Sequence, residues 1–61
     1  MTNHSILLVE DEAHLHDALK LNLSMEGYEV SSAYDGPEAL KQIESAAFDL
    51  IILDVMLPGI D

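Results

Sequence analysis

The sequence has no cysteine and no tryptophan, and it has only two basic side chains among its 61 residues. Without cysteine, neither a disulfide nor a thiolate metal site can stabilise a fold of this size. Twelve acidic side chains against the two basic ones give a formal net charge of −10, which repels phosphate backbones and anionic lipid surfaces. The composition therefore predicts no nucleic-acid contact and no membrane contact by this segment, and it favours cations and basic protein surfaces as partners.

Long apolar runs are also missing. The first residues, MTNHSILLVEDE, contain no basic region, and the aliphatic run at 6–9 is too short for a signal peptide or a membrane span. We therefore expect the protein in the cytoplasm. Hydrophobic residues still make up 49% of the chain, and their clustering argues against disorder. The length allows one domain at most and is near the lower limit for an independent core, so we expect something outside this sequence to complete it.

Hydrophobic periodicity predicts five elements in the order strand, helix, strand, helix, strand. The runs at 6–9 and 50–53 are apolar on both faces, as in parallel strands covered on both sides. The apolar residues within 12–26 have helical spacing, and the predicted helix ends before Gly27. Residues 28–33 form a shorter strand, and a second helix from Pro37 is expected to turn Leu40 and Ile43 inward. The apolar positions of the first helix are Leu15, Ala18, Leu19, Leu23 and Met25.

Two helical crossovers between three strands predict a parallel sheet with right-handed connections. The third strand then lies beside the first, on the side away from the second, which gives the spatial order 2-1-3. This is the beginning of a flavodoxin-like, doubly wound α/β sheet, truncated to β-α-β-α-β. In such sheets the ligand site lies at the carboxyl ends of the strands where the winding reverses.

Acidic side chains follow two strands of this predicted sheet. Glu10 and Asp11 follow the first strand, and Asp54 follows the third, so we expect the three carboxylates to share one crevice. Two like charges about 4 Å apart repel by roughly 4 kcal/mol at an effective dielectric of 20. A bound divalent cation relieves that repulsion, and Mg²⁺ suits oxygen ligands better than zinc does. These residues alone fit either a phosphoacceptor or a metal-dependent hydrolase.

Three motifs then point to a family. The stretches ILLVEDE, HLHDALKLNLSMEGYEVSSAYDGPEAL and FDLIILDVMLPGID contain an acidic pair, EGYEV and DVMLPG at matching spacing. In these motifs the chain resembles the response regulator receiver domain of two-component signalling over essentially its whole length. The resemblance implies that residues 1–61 are a partial receiver domain, the amino-terminal half with three strands and two helices. The LPGID motif most resembles that of regulators with a winged-helix DNA-binding output domain.

The resemblance also implies a set of roles. Asp54 would be the phosphoacceptor, Asp11 would contact Mg²⁺ directly, Glu10 would help through water, and the backbone carbonyl of Met56 would complete the metal site. A sensor histidine kinase would donate the phosphoryl group, and an output domain or downstream effector, which for this subtype controls transcription, would respond to it. Such a module takes part in its own phosphotransfer and is not a turnover enzyme.

The family has five strands and five helices, and this sequence has no counterpart of the last two strands. A Ser or Thr and a Lys that contact the phosphoryl group in the family belong to that missing half. We therefore expect impaired phosphorylation of this segment. The third strand would also keep an unpaired aliphatic edge, so we expect a homo-oligomer formed through it.

Two rival functions belong to other classes. One is a magnesium-dependent phosphatase or nucleotide-binding enzyme, but the sequence has no glycine-rich loop that ends in Lys and Ser or Thr. The other is an inert half domain that serves as an assembly unit and leaves its acidic crevice unused. Metal titration distinguishes this last function from the phosphoacceptor.

The remaining titratable residues have plainer interpretations. His4, His14 and His16 are predicted to be surface residues, because His14 and His16 are two positions apart on a helix and do not face each other. Asp35 precedes the second helix and is predicted to be a turn or capping residue rather than a metal ligand. Glu12 lies near the positive end of the first helix, where a carboxylate is favourable.

Overall fold

The computed structural model describes residues 4–53, and it contains the five predicted elements in the predicted order. Each element begins and ends within about two residues of its expected bounds, which is the usual disagreement at element ends. The elements are β1 (Ser5–Val9), α1 (Ala13–Met25), β2 (Glu29–Ala33), α2 (Gly36–Ser45) and β3 (Leu50–Leu53).

The three strands form one parallel sheet in the order β2-β1-β3, which confirms the predicted topology. At the carboxyl end of the sheet, Val9 of β1 is in register with Ala33 of β2 and Leu53 of β3. All three strands therefore end at the same edge of the sheet.

The core surrounds β1, whose residues from Ile6 to Val9 are at most 2% exposed. Successive side chains of a strand point to opposite faces, so this burial requires cover on both faces. On one face Leu7 and Val9 pack with Ala33 of β2 and Ala39 of α2. The helix α1 packs against β1 and β2 without touching α2. This is expected because the two right-handed crossovers run in opposite directions along the sheet, from β1 to β2 and then from β2 past β1 to β3.

The predicted stop of α1 at Gly27 is confirmed. Gly27 has φ +96°, a left-handed conformation that glycine adopts without the steric cost of a Cβ. Its N–H donates to the Ser24 carbonyl (3.0 Å), and the Tyr28 N–H donates to the Leu23 carbonyl (3.2 Å). These two bonds form a Schellman motif, which satisfies carbonyls that the end of the helix would otherwise leave without donors.

The prediction that Leu40 and Ile43 face inward is wrong. Leu40 is 62% exposed and Ile43 is 42% exposed, whereas Ala39 is buried. Neighbouring helical residues are turned by about 100°, so the contact made by Ala39 leaves Leu40 beside the sheet rather than over it. No other described element covers the outer side of α2. The same holds for three predicted apolar positions of α1: Leu15 is 42% exposed, Met25 is 75% exposed, and Ala18 is also exposed.

The strand β3 lies at the edge of the described sheet and pairs with β1 alone. Its side chains are largely uncovered, with Leu50, Ile51 and Leu53 each about half exposed. The predicted aliphatic edge is therefore present in the described part of the chain.

Within residues 4–53, neither helix is long and apolar enough to cross a membrane.

Candidate functional site

The acidic pair directly follows β1, and its two members have different surroundings. Glu10 is 1% exposed, its N–H donates to the Ala33 carbonyl (3.1 Å), and its carboxylate accepts from the Glu12 N–H (2.9 Å). Asp11, by contrast, is exposed. The structure thus holds the first acid inside the loop between β1 and α1 and leaves the second accessible from solvent.

Glu12 is the N-cap of α1. Its carboxylate accepts from the backbone N–H groups of Leu15 (2.9 Å) and His14 (3.1 Å), which lie in the first turn and have no partner within the helix. These bonds favour the ionised form, the bond from Leu15 most, and they lower the pKa of Glu12 below its ordinary value. The expectation of a favourable carboxylate at this helix end is confirmed, although the interaction is a direct cap rather than a solvated face.

The prediction of a surface position is wrong for His16, which is fully buried. Its Nδ1 lies 2.9 Å from the backbone carbonyl oxygen of Glu10, and its ring stacks on the Tyr34 ring with centroids 4.2 Å apart and planes at 22°. A signal for this was in the sequence. Position 16 extends the half-buried stripe of Leu19 and Leu23 back by one helical turn.

The other two histidines match the prediction. His14 is exposed, although it lies only two residues before the buried His16, because the two side chains are on different sides of α1. His4 is also exposed and lies 3.5 Å from an Asp49 carboxylate oxygen. Neither contacts the acidic pair through any described hydrogen bond.

Asp35 is the N-cap of α2, which confirms the capping prediction. Its carboxylate accepts from the Glu38 N–H (2.8 Å), and the Glu38 carboxylate accepts in turn from the Tyr34 N–H (2.9 Å). This reciprocal arrangement resembles a capping box. It leaves Asp35 engaged at the helix end instead of at the acidic pair.

Two of the four predicted site residues, Asp54 and Met56, lie outside the described residues. Within the described residues, Leu53 is in register with Val9. In the sequence Val9 directly precedes Glu10, and Leu53 directly precedes Asp54. Residues 4–53 hold no group of three His, Cys, Asp or Glu side chains that could bind a metal ion. Within that range the candidate ligands are the carboxylates of Glu10 and Asp11, whose oxygens are of the hard type that Mg²⁺ prefers.

Comparisons with known proteins agree on one family. The model of the response regulator receiver domain matches residues 6–61. Over 59 residues the chain is 51% identical to the alkaline phosphatase synthesis transcriptional regulatory protein PhoP of Bacillus subtilis, a match that covers 97% of this chain and 25% of that protein. It is 47% identical to the transcriptional regulatory protein AfsQ1 of Streptomyces coelicolor, covering 93% of this chain and 25% of AfsQ1.

Solved structures give the same result. The response regulator TrrA of Thermotoga maritima, in complex with Mg²⁺-BeF, has a TM-score of 0.86 and 46% identity, covering 95% of this chain and 50% of TrrA. The chemotaxis response regulator CheY4 of Vibrio cholerae has a TM-score of 0.89 and 40% identity, covering 95% of this chain and 48% of CheY4. The chain thus spans about half the length of these solved chains and a quarter of the curated relatives.

Proposed function

This chain belongs to the response regulator receiver domain family, and we propose that it is a phosphoacceptor, modified on the Asp54 carboxylate by a sensor histidine kinase. The main support is that the family match extends over residues 6–61 and so includes the DVMLPG motif. The register adds to it, since Asp54 follows the strand that pairs with β1, and the acidic pair of Glu10 and Asp11 follows β1 itself.

We propose Mg²⁺ as the metal, held by Asp11, Asp54 and the Met56 backbone carbonyl, with Glu10 acting through water. All of these donors are hard oxygens, which fits Mg²⁺. The exposed Asp11 carboxylate and the buried Glu10 carboxylate fit the direct and indirect roles, respectively. When bound, Mg²⁺ offsets negative charge on the phosphoryl oxygens. The similarity to TrrA, which was solved with Mg²⁺-BeF, supports the choice.

The proposed reaction is a single transfer. A carboxylate oxygen of Asp54 forms a bond to phosphorus, the bond between phosphorus and the donor imidazole nitrogen breaks, and that nitrogen keeps the electron pair. The product is an acyl phosphate on Asp54. Its added charge and acceptor oxygens shift the domain toward a state that an output domain recognises. One phosphoryl group is accepted and later lost, so the chain is not a turnover enzyme.

We propose a transcriptional output for the protein to which this segment belongs. PhoP and AfsQ1 are both named as transcriptional regulatory proteins, and this chain matches a quarter of each. The net charge of −10 makes this segment itself unsuited to contact DNA. The proposed role is therefore to control a DNA-binding domain and not to bind DNA.

We further propose that these 61 residues are phosphorylated inefficiently alone and associate through β3. The exposed aliphatic edge of β3 is the support, because an unpaired edge strand is a template for another chain.

Acetyl phosphate with Mg²⁺ provides the test. The 61-residue chain is compared with a chimaera that continues after residue 61 into the second half of TrrA, and mass spectrometry counts phosphoryl groups. We expect one phosphoryl group on the chimaera, less on the short chain, and none on either when Asp54→Asn is introduced. The matched control is Asp35→Asn, because asparagine also caps helices well and should leave phosphorylation unchanged.

Two outcomes contradict the proposal. An unmodified wild-type chimaera excludes the phosphoacceptor function and favours an inert assembly unit. Equal phosphorylation of Asp54→Asn and wild type shows that another side chain accepts the group. Modification of the chimaera alone supports the function and assigns the deficit of the short chain to its length.

A further inference from the structure

The acidic pair is held by a residue that the proposed chemistry does not use. His16 lies on α1, one helical turn after the Glu12 cap, and is fully buried although its ring has two polar nitrogens. Its own N–H donates to the Glu12 carbonyl (2.8 Å), so the ring is placed by the first turn of the helix. A buried polar side chain at the base of the acidic loop needs an explanation beyond packing.

The contact fixes the tautomer. A carbonyl oxygen has no hydrogen to donate, so Nδ1 must carry the proton in the 2.9 Å bond to the Glu10 carbonyl. The other nitrogen, Nε2, is buried without a hydrogen-bond partner within residues 4–53. The ring therefore makes one hydrogen bond within the described residues, as a donor from Nδ1 to the Glu10 carbonyl.

That acceptor belongs to the peptide bond between Glu10 and Asp11. The N–H of Glu10 is bound by the Ala33 carbonyl and its carboxylate by the Glu12 N–H. The His16 bond to the Glu10 carbonyl restrains the peptide from which the Asp11 side chain projects.

The ring is held in turn from its other side. Tyr34 stacks on it with centroids 4.2 Å apart, and the Tyr34 N–H donates to the Glu38 carboxylate in the first turn of α2. The start of α2 and the start of α1 thus both contribute to the placement of His16. A side chain held in this way can impose its geometry on the peptide that it contacts.

We propose that His16 is a positioning residue for the metal site: by donating from Nδ1 to the Glu10 carbonyl it fixes the Asp11 backbone and so raises the affinity for Mg²⁺. The inference rests on the proposed function of the acidic pair. It goes beyond that function because it assigns a role to a side chain that lies outside the set of proposed ligands.

Three variants separate the donor from the ring. His16→Phe keeps a stacked, buried ring and removes the donor. His16→Asn keeps an amide N–H close to the Nδ1 position and removes the ring, and His16→Leu removes both. We expect His16→Phe and His16→Leu to lose roughly tenfold in Mg²⁺ affinity, the lower range for an outer partner of a metal ligand, and His16→Asn to stay within about threefold of wild type.

Stability should follow a different order. His16→Asn places a smaller polar group where a buried ring packed, so urea denaturation should show it as the less stable variant, with His16→Phe closer to wild type. A merely structural histidine would make Mg²⁺ affinity follow stability. The proposal requires His16→Phe to be the more stable of these two variants and also the weaker Mg²⁺ binder.

The measurement is a Mg²⁺ titration of the ¹⁵N-labelled chain followed by NMR, with the metal-free Asp11 amide shift as a second readout. Loss of the hydrogen bond to the Glu10 carbonyl should move the Asp11 amide nitrogen in His16→Phe and less in His16→Asn. Equal Mg²⁺ affinity in wild type and His16→Phe overturns the positioning role and leaves the proposed function intact. A wild type that binds no Mg²⁺ overturns the magnesium site, and an unmoved Asp11 amide in His16→Phe overturns the restraint itself.

Discussion

Gly27 ends α1 with φ +96°, the left-handed conformation that such a helix stop requires. A Cβ built on Gly27 meets no heavy atom within 4 Å, and the same is true of Gly36 at the start of α2. The two glycines therefore differ in backbone conformation and not in available space.

Gly27→Ala should destabilise the fold by about 1 kcal/mol, because a left-handed conformation costs a residue with a Cβ about 1–2 kcal/mol. Gly36→Ala should be neutral or slightly stabilising, because alanine has the higher helix propensity. Urea denaturation of both variants checks this. Equal loss of stability in the two variants would show that the Gly27 conformation is not the cause.

Other residues were less predictable. Asp35 could be identified as a cap because its role depends on residues three positions away. The burial of His16 depends on Tyr34, which is eighteen positions later in the sequence, and on the turn of the acidic loop. The spacing of His16 from Leu19 and Leu23 is a signal for its side of the helix. Local patterns do not show which distant residues it contacts, and histidine occurs both inside and outside proteins.

At the scale of the element, the Glu12 cap makes the stability of α1 depend on pH. Hydrogen bonds from the Leu15 and His14 backbone lower the pKa of Glu12 in the fold below its ordinary value of 4.5. Because the folded pKa is the lower one, the stabilisation is complete above the unfolded pKa and is lost as the pH falls through the folded pKa.

Glu12→Gln tests this cap, since glutamine keeps an acceptor oxygen and does not titrate. The difference in free energy of unfolding between wild type and Glu12→Gln should be constant near neutral pH and should shrink as the pH falls below about 4.5. Denaturation at a series of pH values measures it. Glu44→Gln, on α2, is the control for the loss of one carboxylate. If the difference in free energy of unfolding between wild type and Glu12→Gln grows as the pH falls, the assignment of Glu12 as the stabilising cap is contradicted.

The edge strand β3 supports a second prediction at this scale. Ile51 is 45% exposed on β3, the strand at the edge of the described sheet, and a lysine on an edge strand opposes pairing between sheets. Sedimentation velocity should find the 61-residue chain self-associated, and Ile51→Lys should shift it toward monomer. The control is Leu21→Lys, which makes the same change of charge at a 61% exposed position on α1 and should leave the self-association unchanged. A monomeric wild type would contradict association through β3.

For the whole molecule, the sequence predicted the order of the elements and the β2-β1-β3 sheet, because hydrophobic runs and the handedness of crossovers determine both. It did not predict which helix residues are covered. Leu40 and Leu15 have the pattern of buried residues, yet no described element lies over them. Burial depends on the neighbours that a segment has, and this chain spans about half of the solved chains to which it is similar.

The candidate site was also only partly predictable from the sequence. Patterns at the strand ends were sufficient to place Glu10 and Asp11 at the edge of the sheet beside the end of β3. The different burial of the two acids, and the hydrogen bond from His16 that restrains them, required the folded structure. Asp54, the residue that follows β3 in the sequence, is the proposed phosphoacceptor.

Chemical mapping of the modified residue tests that claim most directly. The chimaera is phosphorylated with acetyl phosphate and Mg²⁺ and then treated with borohydride, which reduces an aspartyl phosphate to homoserine, and the reduced position is found by peptide mass spectrometry. We predict homoserine at position 54, only when Mg²⁺ is present. Homoserine at another acidic position, or none in the phosphorylated protein, would contradict Asp54 as the phosphoacceptor.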